Sequence, residues 1–126
     1  MKYSLDKQDK YAVLSLHEDN MNSLLAPALK YEFKVLSETG VPNFVLNIAD
    51  VKFVDSSGLS AILTAKRLWE DVGTFVLTGV NSNSVKKLIE ISKLDNALNI
   101  IPTVDESIDY IFMDEIEREL DDDSDE

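Results

Sequence analysis

Residues 45–63 read "VLNIADVKFVDSSGLSAIL", and the way this stretch divides decides the fold. Its front belongs to "NFVLNIA" (residues 43–49), a nearly continuous apolar run of strand length. Such a run is typical of a strand covered on both faces. Its back, "SSGLSAIL", opens a helical run that reaches Gly73. Between them Asp55, Ser56, Ser57 and Gly58 form a strand-to-helix corner. A second strand-like run, "TFVLTGV" (residues 74–80), follows the helix. Strand, helix and strand in that order predict a βαβ unit with a right-handed crossover.

Upstream, "YSLDKQ" and "YAVLSLH" are short β-like segments, with polar "DKQDK" as a hairpin turn between them. In "DNMNSLLAPALKYEFKVLSETG", Leu25, Leu29, Phe33 and Leu36 make one helical apolar face. Asn22 or Ser23 caps its start, Pro27 belongs in its first turn, and Gly40 ends it. Downstream, "NSNSVKKLIEISKL" is a helix with Val85, Leu88, Ile89 and Ser92 on one side, and "ALNIIP" is a short strand. "TVDESIDYIFMDEIEREL" is a last helix whose capping box is Thr103 and Glu106 and whose face is Val104, Ile108, Ile111 and Phe112. The expected order is β-β-α-β-α-β-α-β-α: one α/β domain with a central mixed sheet of about five strands and four helices.

Composition narrows the function. With 126 residues, 44% of them hydrophobic, the chain suits one domain with a sizeable core. It has no cysteine and one histidine, His17, so disulfides, thiolate or histidine metal sites and a Ser-His pair are not expected. No apolar stretch has the length of a membrane span, and the first residues lack a signal peptide's apolar centre; the expected location is the cytoplasm. The net charge is −12, of which residues 113–126 carry nine acids against one base. Such a surface repels nucleic acid. We expect residues 1–118 to form the domain and residues 119–126, ending "DDDSDE", to be a disordered acidic tail. The tail serves solubility, with mimicry of an acidic ligand as the minority reading.

Two readings compete at the corner. Asp and Ser are good N-caps, and Gly58 lets the backbone turn. That accounts for one polar residue of three. Alternatively, a hydroxyl is presented at the positive end of a helix, where an added phosphoryl group is partly compensated. No histidine adjoins the serines and "GxSxG" is absent, so another enzyme must do the chemistry.

The stretch "VLNIADVKFVDSSGLSAIL" resembles the signature of STAS domains, shared by sulfate transporters and anti-sigma-factor antagonists. The likeness is to the stand-alone antagonists and spans roughly residues 3 to 112, including the closing "FVLTGVNSNSVKKLIEISKLDNALNIIPTVDESI". It implies that Ser57 is phosphorylated by an anti-sigma factor that is also a serine kinase, and restored by a serine phosphatase. It also implies that Asn22, Asp55, Ser56, Ser57, Gly58 and Leu59 meet the partner, with no catalytic residue, cofactor or metal in the chain. The protein itself is expected as a monomer or weak dimer. The chain departs from the family at Asn22, where an acid is usual, and at Asn47, where Asp is frequent. A second reading is a STAS module that binds a nucleotide or lipid, or serves a sensory or transport assembly. Three further residues carry expectations. His17 is an exposed turn residue, Trp69 packs in the core, and Met21 is either a half-buried loop residue or part of a partner surface.

Overall fold

The apolar run at residue 45 forms the middle strand of a five-stranded sheet. The computed structural model describes residues 1–124, with side chains through residue 121. Its elements are β1 (Tyr3–Lys7), β2 (Ala12–Leu16), β3 (Asn20–Met21), α1 (Ala26–Glu38), β4 (Phe44–Asn47), β5 (Phe53–Val54), α2 (Ser56–Trp69), β6 (Phe75–Thr78), α3 (Asn83–Ile91), β7 (Asn99–Ile101) and α4 (Val104–Ser124). The main sheet has the order β1-β2-β4-β6-β7. The β1–β2 pair is antiparallel and the others are parallel, so the sheet is mixed, as expected. Two short strands escaped the sequence reading: β3 and β5 pair in parallel as a separate ribbon.

Side chains alternate across a strand, and here both faces are covered. Phe44 and Leu46 share one face with Leu14, Leu16 and Leu77, under Leu29 and Phe33 of α1 and Ala61, Ile62 and Ala65 of α2. On the other face Val13, Val45 and Val76 meet Ile111 of α4. Trp69 is the largest fully buried side chain. Its ring stacks on Phe44 at 4.5 Å, and its indole N–H donates to the Val41 carbonyl at 3.1 Å. Core packing of Trp69 is therefore observed.

Helix α1 starts at Ala26, with Pro27 in its first turn, because Pro has no N–H to give a helix interior. Neither Asn22 nor Ser23 is its N-cap: Leu25 holds that position without a side-chain cap. Gly40 follows the helix at φ +84°, the conformation that suits glycine. In α4 the Thr103 hydroxyl accepts from the Glu106 amide at 3.1 Å, half of the expected box. Phe112 is 42% exposed and sits at the margin of the packed face, its ring meeting Tyr11 edge-on at 6.1 Å, while Ser107 is buried on that face. Helix α4 is assigned through Ser124 and so takes in residues 119–124 of the expected acidic tail. Extending a formed helix fixes one residue per added hydrogen bond, and the costly nucleus is already supplied upstream. Asp125 and Glu126 lie outside the described residues. Among the described residues no helix is long and apolar enough to cross a membrane.

Candidate functional site

The corner is built by the small β3–β5 ribbon. Its register pairs Met21 with Val54, so the next residues of each strand, Asn22 and Asp55, leave side by side. Two segments far apart in sequence thus converge on one surface. Asp55 has extended backbone and caps α2: its carboxylate accepts from the Gly58 amide at 3.0 Å and its carbonyl from Leu59 at 2.9 Å. The capping reading is therefore correct for Asp55, and for Asp55 alone. Ser56 and Ser57 occupy the first helical turn, where amides lack intrahelical partners. Among the described residues, no group hydrogen-bonds either hydroxyl. Ser56 is exposed and Ser57 half-buried.

Gly58 needs correction. Its φ is not positive, so it does not serve a tight turn. It is buried, and a Cβ there lies 2.2 Å from the Met21 carbonyl oxygen and 2.9 Å from Val54 Cγ1. Glycine lets α2 press directly on the β3 backbone, and that contact sets the height of Ser57 beside Asn22. Gly58 offers no side chain to a partner. Met21 is 1% exposed and belongs to the core, so it lines no partner surface. Leu59 is half-buried and leans on the same core.

Asn22 closes the turn before α1. Its side-chain oxygen accepts from the Leu24 amide at 3.1 Å, and its carbonyl from Leu25 and Ala26 at 3.1 and 2.8 Å. An uncharged amide does this as well as a carboxylate would. Asn47 likewise satisfies its surroundings, donating to Ser15 Oγ and accepting from the Ala49 amide, both at 3.1 Å. His17, exposed at the end of β2, shares its ring nitrogens with Ser4 Oγ at 3.0 Å and Asp50 at 2.9 Å. It is occupied away from the serines.

Sequence reasoning missed three residues at this surface. Leu24 is 90% exposed and Phe53 57% exposed, on the two segments that the ribbon joins. Leu24 lies outside the Leu25–Leu29–Phe33–Leu36 series, which was a legible signal. Lys30 reaches from α1 to donate to Ser60 Oγ at 2.9 Å, beside a cleft of about 260 Å³ lined also by Ser23, Pro27, Ser56 and Ser57. Nothing in its spacing announced that contact.

A family model described as the STAS domain matches residues 5–107. The chain belongs to the STAS domain family. Similar solved structures agree on the fold. An anti-sigma factor antagonist from Mycobacterium paratuberculosis has 22% identity and a TM-score of 0.76, covering 87% of this chain and 92% of that one. The anti-sigma factor antagonist SpoIIAA in its unphosphorylated form has 22% identity and a TM-score of 0.74, covering 87% and 96%. The Bacillus cell fate determinant SpoIIAA in the phosphorylated form has 21% identity and a TM-score of 0.67, covering 87% and 99%. In this STAS domain the strand-to-helix corner holds a hydroxyl pair at the start of α2, bounded by one capping carboxylate.

Proposed function

We propose that this STAS domain is an anti-sigma-factor antagonist whose docking surface is switched by phosphorylation of Ser57. One observation carries the reading: among the described residues the Ser57 hydroxyl, in the first turn of α2, has no hydrogen-bond partner, on a corner that it shares with half-buried Asn22 and exposed Leu24 and Phe53. The domains named as antagonists among its structural relatives, one of them described in phosphorylated and unphosphorylated forms, support the same role.

The division of labour follows from the corner's chemistry. Asp55 is committed to Gly58 and His17 to Asp50 and Ser4, so the domain supplies an acceptor hydroxyl and the partner kinase supplies the base and the nucleotide. Unphosphorylated, the surface around Leu24 and Phe53 docks on the anti-sigma factor and frees its sigma factor in the cytoplasm. Phosphorylation adds about two negative charges beside Asp55. Desolvating like charges costs several kcal/mol, and each ~1.4 kcal/mol is tenfold in affinity. Docking fails without any refolding, and a serine phosphatase restores it.

The test is calorimetric titration of the wild-type, Ser57→Ala and Ser57→Asp proteins with the cognate anti-sigma factor. Ser57→Ala should bind like wild type and Ser57→Asp at least about tenfold more weakly. Equal binding by Ser57→Asp removes the switch.

A further inference from the structure

We propose that Lys30 and Ser60 seat the phosphoryl group carried by Ser57, with the Lys30 ammonium as its counter-charge; this rests on the reading of Ser57 as the modified residue. Lys30 crosses from α1 to α2 and donates to Ser60 Oγ at 2.9 Å. Lys10, Lys52, Lys66 and Arg118 each pair with an acid; of the eight other Lys and Arg residues seven are exposed to solvent, and Lys30 alone is half-buried with no carboxylate of the described residues within ion-pair distance. In a chain of net charge −12, a half-buried cation bonded to a neutral hydroxyl is a charge without its anion.

Its position fits a phosphoryl group on Ser57. Ser57 and Ser60 are three apart on α2, so they share a face with Cβ atoms about 5–6 Å apart. Both line the cleft of about 260 Å³ into which Lys30 projects, and Lys30 is the one ionisable residue in its lining. Asp55, the neighbouring acid, has its carboxylate turned to the Gly58 amide. On transfer, the bond from Ser57 Oγ to the γ-phosphorus of ATP forms, the bond to ADP breaks, and the serine proton leaves to the kinase. The new group brings anionic oxygens into the cleft. Charge-assisted bonds are roughly twice as strong as neutral ones, so Lys30 exchanges Ser60 for the phosphoryl oxygens. The freed Ser60 hydroxyl becomes a second donor. The phosphoryl group is thereby pinned against α1 rather than left waving in solvent, which fixes where the partner meets the added bulk and charge.

The experiment installs phosphoserine at position 57 during translation, through an expanded genetic code, and titrates it by ³¹P NMR. A nearby cation favours the dianion, so the second phosphate pKa in the wild-type background should lie below that in Lys30→Gln by about half a unit to one unit, after allowance for solvent screening. Lys30→Arg should keep the lowering. Identical titration in the wild-type and Lys30→Gln backgrounds overturns the proposal. A readout free of variants is the Lys30 side-chain ¹⁵N resonance, which should shift between Ser57 and phosphoserine-57 proteins; an unmoved resonance also overturns it. Because no kinase is used, these outcomes are independent of whether a kinase modifies Ser57, which the partner experiments decide separately.

Discussion

Gly58→Ala tests the packing that holds the corner in place. The added methyl would lie 2.2 Å from the Met21 carbonyl oxygen and 2.9 Å from both Met21 C and Val54 Cγ1. Non-bonded carbon atoms prefer about 3.5–4.0 Å, so roughly an ångström of movement is required. The obstacle is the β3 backbone, which no rotamer change relieves. Overpacking of this kind costs about 1–3 kcal/mol, and a backbone obstacle puts this case in the upper half. Alanine regains at most about 1 kcal/mol over glycine in helix propensity. The net loss is about 1–2 kcal/mol, or a fall in Tm of roughly 3–8 °C for a domain of this size. Urea unfolding followed by circular dichroism measures the loss. Amide shift changes should centre on Met21–Leu25 and Ser56–Leu59, and binding to the anti-sigma factor should weaken even with Ser57 intact. If Gly58→Ala is as stable as wild type, or more so, helix propensity has won and the close contact of α2 with β3 does not govern the corner.

Three further outcomes follow from the same geometry. Asp55→Ala removes the α2 cap and should cost about 1 kcal/mol in chemical unfolding, whereas Asp55→Asn keeps a capping oxygen and should stay within a few tenths of wild type. Equal losses would mean that charge, not capping, is what Asp55 contributes to stability. The Thr78 hydroxyl is fully buried without a hydrogen-bond partner among the described residues, so Thr78→Val should raise stability by about 1 kcal/mol; a loss would reveal a partner for that oxygen. Leu24→Ser, at a side chain 90% exposed, should leave unfolding unchanged while weakening anti-sigma-factor binding by about tenfold, and unaltered binding would remove Leu24 from the docking surface.

The parts of the fold legible in the sequence are those with a long period. The run ending at Asn47, the helix after Ser56 and the run before Thr78 announced β4, α2 and β6, because apolar continuity and helical spacing accumulate over many residues. Strands β3 and β5 have two residues each, too few for any period to show. Yet that ribbon is what brings Asn22 beside Asp55, so the corner's residues were legible while the device that assembles them was not. Gly58 shows the same limit: its identity was conspicuous, but its reason is a tertiary contact with Met21 rather than a local turn. Lys30 was silent for the same cause, since its partner Ser60 lies on another helix. At the other end of the chain, acidic composition suggested a separate tail from residue 119, while the assigned helix begun at Val104 includes residues up to Ser124.

The most direct measurement is intact-mass spectrometry of the protein incubated with ATP and the anti-sigma-factor kinase proposed as its partner, with peptide mapping of the product. Addition of a single phosphoryl group, located on Ser57 and lost in Ser57→Ala, is the predicted result. An unchanged mass, or a phosphoryl group that persists in Ser57→Ala, would contradict the account.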